Sequence, residues 1–318
     1  MVREFKQIKI IIDEADSILL AIHENPDGDG IGAMLALGCY LIKEGKRVYF
    51  FSIDEVPEGF KFLPGCENVK NQLPQTDFDV LLGLDYGDFR RLGLDEFKAK
   101  IGRIISIDHH TLNDQRGDVV LVDTEYSSTS EILYHYFKNL GVAIDRNIAT
   151  CLLTGIFFDT GGFRHSNTTP RVLNIAKELL NKGASLNKIS KAYFGSKTMP
   201  ALKLWALALE RMKKDTDSGM VFSFADYQDL VKCGAKPDDL DGLSSIINTV
   251  PDSKFALFLS EKVPKIIDGS LRSEPFKGVD VSLIAKDLGG GGHKYASGFK
   301  KKGDINKVLK KVYKVVRD

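Results

Sequence analysis

Residues 23–32 gather His23, Asp27 and Asp29 around Pro26 and three glycines, Gly28, Gly30 and Gly32. Proline and glycine make this a tight loop, so the imidazole and the two carboxylates can converge on one point. Three further positions are of the same kind: Asp85 beside Tyr86 and Gly87, the run Asp108-His109-His110, and Asp159 between Phe158 and Thr160. Carboxylate oxygens suit hard divalent cations, and an added imidazole shifts the preference toward Mn²⁺-like ions. So many acids at loop ends would repel one another unless cations sat among them. Two such ions roughly 3.5–4 Å apart would hold the two oxygens of an in-line phosphoryl displacement. A single aspartate after a strand is ordinarily a helix N-cap. Four such positions, two of them also carrying histidine, exceed what capping explains.

The elements that must position these groups can be read from the apolar pattern. Residues 5–16 read as a helix, Ile18–Ile22 as a short strand ending at His23, and Ile31–Glu44 as a helix stopping at Gly45. Strands follow at Val48–Ile53, Val80–Leu84, Ile104–Ile107 and Val119–Val122, the last three running into Asp85, Asp108 and Asp123. Short apolar strands separated by helices predict a parallel sheet covered on both faces. Ligands of such sheets bind beyond the C-terminal strand ends, where the acids lie. Residues 128–214 read as mostly helical. A second mixed unit follows, with strands at Val221–Phe224, Phe255–Leu259 and Lys265–Arg272 and helices near Val281–Leu288 and from Ile305. The expected organisation is a metal-binding α/β domain over residues 1–190, a helical linker over 191–214, and a smaller mixed α/β domain over 215–318.

Two features of the second unit suit an anion. Arg272, in Ser270-Leu271-Arg272-Ser273, stands at a strand end where a guanidinium can make a bidentate phosphate contact. Gly290, Gly291 and Gly292 can turn backbone amides toward an anion, with His293 and Ser297 in reach of the same pocket. No Lys-Ser or Lys-Thr follows the glycines, so this is not a nucleotide P-loop. A competing reading concerns the first unit. Gly28-Asp29-Gly30-Ile31-Gly32-Ala33 matches a dinucleotide-binding turn, with Asp54 or Glu55 after the next strand for the ribose. Against it, Asp27 and Asp29 stand where a pyrophosphate needs neutral amides.

The chain has 318 residues, 43% hydrophobic and 27% charged, which supports a sizeable core and excludes wholesale disorder. No apolar run approaches the ~18 residues of a membrane span, and no secretory signal is evident. A cytoplasmic protein without a membrane partner is expected. The four cysteines, Cys39, Cys66, Cys151 and Cys233, are far apart and form no C-x-x-C pair. The net charge of +1 conceals an asymmetry: residues 1–150 hold 16 Lys/Arg against 25 Asp/Glu, and residues 151–318 hold 28 against 18. Such halves are suited to different jobs, a metal cradle and an anion clamp.

Four motifs together resemble the DHH phosphoesterases: H-x-N-P-D-G-D-x-I-G at 23–32, D-H-H at 108–110, F-D-T-G-G-F at 158–163 and G-G-G-H at 290–293. The glycine-rich end resembles their DHHA1 domain. The length resembles most the nano-RNase and pAp-phosphatase group. The resemblance implies that His23, Asp27 and Asp85 bind one metal, and that Asp29, Asp85, His109 and Asp159 bind a second, with Asp85 bridging. It leaves His110 facing the phosphate as a catalytic residue beside Asp85. The implied cofactor is a pair of Mn²⁺ ions, with Mg²⁺ or Co²⁺ as substitutes. The implied activity is hydrolysis of short single-stranded oligonucleotides or diadenylates such as pApA, and of cyclic di-AMP, to 5′-monophosphates. Loss of the 3′-phosphate of pAp and non-catalytic dinucleotide binding are the alternatives. Long duplexes are not expected as partners. A homodimer could use apolar helical surface around residues 128–160. One departure from the family pattern is Gly30, where alanine is common.

Overall fold

A computed structural model describes residues 2–74, 76–94, 100–110, 116–194 and 197–317. The chain divides into two compact units, Met1–Ser196 and Lys197–Asp318.

The first unit is built on a six-stranded parallel sheet. Its elements are α1 (Val2–Glu14), β1 (Ser17–Ile22), α2 (Gly28–Lys43), β2 (Arg47–Phe51), β3 (Val69–Lys70), β4 (Phe78–Leu84), β5 (Ile101–Asp108) and β6 (Val119–Val122). Four helices follow: α3 (Thr129–Leu140), α4 (Arg146–Asp159), α5 (Pro170–Asn181) and α6 (Leu186–Phe194). The strand order is β3-β2-β1-β4-β5-β6, and every pairing is parallel. The second strand stops at Phe51, two residues short of the apolar run; beyond it the Ser52 hydroxyl donates to the Asp54 carbonyl at 2.9 Å.

Period-two alternation assigns the strand residues to two cores. Ile18, Leu20 and Ile22 of β1 join the larger core with α1 to α5, whereas Leu19 and Ala21 join a smaller one with Phe78, Leu81 and Tyr86. The parallel sheet covered on both faces is therefore present. Helix α2 is buried along most of its length, so it needs small residues where neighbours approach. A β-carbon on Gly32 would lie 2.5 Å from the Cys151 carbonyl oxygen of α4, which is why the two backbones can close on each other there. The apolar faces of α3 and α4 pack into this core.

The second unit comprises α7 (Met199–Glu210), β7 (Lys213–Lys214), β8 (Met220–Ala225), α8 (Tyr227–Cys233), α9 (Leu243–Ile247), β9 (Phe255–Val263), β10 (Ile266–Arg272), α10 (Val281–Asp287), β11 (Gly291–His293), β12 (Ala296–Lys302) and α11 (Ile305–Arg317). Its sheet runs β11-β12-β10-β9-β8-β7, with β8 and β9 parallel and the other pairs antiparallel. Helix α7 buries Leu204 and Ala208 against Val221 and Phe258, so it is part of this unit's own core. The glycine run is an edge strand over Gly291–His293 and not wholly an open loop. The absence of side chains permits this: β-carbons at Gly290 and Gly292 would lie 2.1 Å and 2.7 Å from the carbonyl oxygens of Gly298 and Ala296. The four cysteines are free thiols. No helix among the described residues is long and apolar enough to cross a membrane.

Candidate metal centre

The order of the first sheet reverses direction between β1 and β4, the switch point where open α/β sheets bind ligands. His23 follows β1 and Asp85 follows β4, so the two meet at that crevice. His23 Nε2 lies 3.7 Å from Asp27 Oδ1 and 3.8 Å from Asp85 Oδ2. These gaps are too long for hydrogen bonds and have the size of donor-to-donor spacings around one cation. His23 Nδ1 stands 2.6 Å from the Glu24 carbonyl oxygen, an acceptor, and 3.2 Å from Arg91 Nη2, a donor. With the proton on Nδ1 for the shorter contact, Nε2 would be the nitrogen that binds a cation.

A second cluster shares Asp85. His109 Nε2 lies 2.9 Å from Asp159 Oδ2 and 3.6 Å from Asp85 Oδ1, yet it is in line with neither for a hydrogen bond. A buried ring nitrogen held among carboxylates without a well-aligned hydrogen bond has the surroundings of a metal ligand. Asp29, His109 and Asp159 can place one donor each within 4.8 Å of one another, as can His23, Asp27 and Asp85. The residues present therefore fit a metal centre.

The electrostatics agree. Burial pushes the Asp29 carboxyl well above its ordinary range, and the charges of Asp85 and Asp159 push it further. Asp159 is raised by burial and by Asp27 and Asp85, against the opposing pull of His109. It also sits at the C-terminus of α4, where the helix dipole disfavours a negative charge. Burial works against a charge on His109, but Asp159 and Asp85 outweigh it and lift the ring to about 9.

Asp27 caps α2, accepting from the backbone N–H of Asp29 and Gly30 at 3.0 and 3.1 Å. Those are the amides a dinucleotide pyrophosphate would need, and a carboxylate already fills the place. Asp54, the proposed ribose acid of that reading, accepts from the Asn25 amide at 2.7 Å. The turn thus puts a carboxylate, part of a cluster that could hold a cation, where a dinucleotide fold would put its pyrophosphate.

Several residues that hold the site were not marked by the motifs. Asp29 accepts from the N–H groups of Thr129 (2.6 Å) and Ser130 (3.0 Å) at the start of α3, and the Thr129 hydroxyl reaches Asp85 Oδ1 at 3.3 Å. Glu131, wholly buried, accepts from Ser127 N and from Arg171 Nε, both at 2.7 Å. Arg91 links the two strand-end loops: Glu24 N donates to its carbonyl (2.7 Å), and its guanidinium donates to the Tyr86 carbonyl (3.1 Å). Asp108 accepts from the amides of Tyr86, Gly87 and His110, each at 2.8 Å, and lies 2.9 Å from His110 Nδ1. It is fully buried and braces the turn that carries Asp85. Asp85 itself has φ of +53°, a left-handed backbone. His110 Nδ1 is also 3.3 Å from Asp85 Oδ1. Burial disfavours its charge, but Asp108 and Asp85 raise it to about 11.

In the second unit, Arg272 of β10 stands opposite Ala296 of β12, which pairs with His293 of β11. Ser270, Gly298 and Gly291 form a parallel rung. The register thus brings Ser270, Arg272, Gly291 and His293 to one face of one sheet edge, opposite the face of buried Leu271. Gly292 pairs with Ser297 on the other face, and Gly290 precedes the strand. Ser297 is buried and donates its hydroxyl to the His293 carbonyl at 2.6 Å.

Comparisons with known proteins accord with this geometry. Residues 17–156 match the N-terminal domain of the DHH family, and residues 208–318 match the DHHA1 domain. The chain is 32% identical, over 95% of its length and 89% of the relative's, to the bifunctional oligoribonuclease and PAP phosphatase NrnA of Thermus thermophilus. It is 26% identical to the protein of the same name from Bacillus subtilis, over 89% of this chain and 88% of that one. The crystal structure of an exopolyphosphatase-related protein from Bacteroides fragilis aligns with a TM-score of 0.92 at 26% identity, covering 99% of this chain and 95% of that one. With its metal-type Asp/His cluster at the sheet's switch point, the chain belongs to the DHH/DHHA1 family of phosphoester hydrolases.

Proposed function

We propose that the chain is a two-metal phosphodiesterase that cleaves short single-stranded oligonucleotides, pApA among them, to nucleoside 5′-monophosphates. The observation that carries this reading is the sharing of one carboxylate: Asp85 Oδ2 faces His23, while Oδ1 faces His109 and His110. His23, Asp27 and Asp85 would hold one cation, and Asp29, Asp85, His109 and Asp159 the other. A pair of divalent ions there, Mn²⁺ by the mix of imidazole and carboxylate, supplies a water acidic enough to ionise near neutral pH and positive charge for an in-line displacement.

The protein's own groups supply the rest. Asp108 and Asp85 keep the proton on His110, which supports a role in neutralising charge on the phosphoryl oxygens. Arg272, Ser270, His293 and the amides around Gly290, Gly291 and Gly292 would grip a terminal phosphate, with Ser297 holding the His293 backbone in place. The Thermus thermophilus and Bacillus subtilis relatives are bifunctional oligoribonuclease and PAP phosphatase proteins by name, which supports removal of the 3′-phosphate of pAp by the same site.

The test is Asp85→Ala assayed on pApA with Mn²⁺. Turnover is expected to vanish while the circular dichroism spectrum is kept, and retained turnover would reject the mechanism. A product profile over pApA, pAp, cyclic di-AMP and a five-nucleotide RNA ranks the substrates.

A further inference from the structure

Phe276 is 80% exposed, the highest value of any large apolar side chain among the described residues. It lies in a single 3₁₀ turn, Pro275–Lys277, that follows β10 and its terminal Arg272. An apolar ring in water forfeits burial free energy, so a mobile turn would tuck it against the nearby core. This turn is held. The Lys277 ammonium donates to Ser253 Oγ at 2.9 Å and to Asn248 Oδ1 at 3.0 Å in the segment between α9 and β9. Asn248 Nδ2 donates to the Ser273 carbonyl at 3.4 Å, and Ser273 N donates to the Tyr295 carbonyl at 2.9 Å. Pro275 removes a further degree of backbone freedom. The ring is kept in solvent on a rigid base.

The surroundings say what such a ring is for. Arg272 ends β10 on the rung that continues through Ala296 to His293. Val281 N donates to the Lys294 carbonyl at 2.9 Å, which closes the segment after Phe276 against the hairpin turn between β11 and β12. That turn carries Lys294, its ammonium 5.5 Å from the ring centroid of half-exposed Tyr295. One end of one sheet thus presents a guanidinium, an imidazole, an ammonium and exposed aromatic surface. Single-stranded nucleic acid is held by this combination, with cations on the backbone and rings under the bases.

We propose that Phe276 is the stacking platform for a nucleobase of the substrate, in a subsite beside the Arg272–His293 rung. The proposal rests on the reading of the chain as a phosphodiesterase of short oligonucleotides. The experiment uses the full chain with Mn²⁺ and two isomers of pApA in which 2-aminopurine replaces one adenine or the other. Wild-type protein is expected to quench one isomer on binding. Phe276→Ala should lose that quenching and raise KM about tenfold, the size of one lost base–aromatic stack, with the smaller share of the loss in kcat. Phe276→Trp should restore both, and equal melting temperatures confirm that the turn is intact. If Phe276→Ala binds and quenches like wild type while Arg272→Ala raises KM, the platform is rejected and the substrate reading stands. If wild type does not cleave pApA at all, the substrate reading falls; Phe276-dependent quenching would then still support the platform, and its absence would reject it.

Discussion

Arg171 of α5 reaches the wholly buried carboxylate of Glu131 on α3, with Nε 2.7 Å from Oε1. The pair lies one turn from the amides of Thr129 and Ser130, which grip Asp29. An ion pair between two helices therefore fixes a proposed metal ligand on a third. Arg171→Ala strands a buried carboxylate, and because the arginine is 41% exposed the loss should be about 2 kcal/mol, below the range for fully buried pairs. Urea unfolding measures this. Mn²⁺ affinity should fall about tenfold, as for other supports of metal ligands, with partial recovery in Arg171→Lys. An unchanged Mn²⁺ affinity would show that α3 keeps its position without the pair.

Asp159 adds a part-buried negative charge to a cluster already holding the carboxyls of Asp29 and Asp85, and it does so at the wrong end of a helix dipole. Asp159→Asn should raise the melting temperature of chelator-treated protein by about 2–4 °C, the equivalent of ~1 kcal/mol in a unit of this size. The same change should abolish most of the stabilisation that added Mn²⁺ gives the wild type. A fall in the metal-free melting temperature would contradict the repulsion described above.

Two glycines of α2 should respond oppositely to alanine. At Gly30 a β-carbon would meet its nearest neighbour, His23 Nε2, at 3.4 Å, an ordinary contact. Gly30→Ala should fold with stability equal to wild type or up to ~1 kcal/mol greater, from the gain in helix propensity. At Gly32 the β-carbon would strike the Cys151 carbonyl at 2.5 Å. Gly32→Ala should cost about 1–3 kcal/mol as α2 is forced from α4. Chemical denaturation of both variants decides it.

The second unit carries its own acid sensitivity. Asp229 on α8 accepts from Arg211 Nη2 at 2.7 Å and from the Asp226 amide at 2.9 Å. Burial works against its ionisation, but these bonds hold its carboxyl below the ordinary range. The stability it contributes is present in full above the ordinary aspartate range near ~4 and disappears as the pH falls through the depressed value. Asp229→Asn should lower stability at pH 7 and flatten its decline below about pH 4. A wild-type slope in that variant would assign the acid sensitivity elsewhere.

Of the groups proposed to touch metal, His23, Asp85 and His109 were legible because a short apolar strand leads directly into them. Asp27 and Asp29 were marked by their Pro/Gly loop, and Asp159, at the end of a helix, by the glycines that follow it. The sheet followed from the same runs. The supports were not legible, for physical reasons that differ. Thr129 and Ser130 act through backbone amides, which no residue type announces. Arg171 and Glu131 are 40 residues apart, with no spacing rule to join them. Asp108 heads a visible motif, but only its contacts distinguish a brace from a ligand. The edge strand at Gly291 was hidden because glycines offer no alternation to read, and the bond from the Ser297 hydroxyl to the His293 carbonyl joins two residues that no spacing rule pairs.

The left-handed backbone at Asp85 sets evolution at odds with itself. Glycine would relieve that conformation, so selection for thermal endurance alone would favour discarding the carboxylate on which both halves of the proposed centre depend. An aspartate retained there in enzymes engineered for heat resistance would record selection for turnover against selection for rigidity.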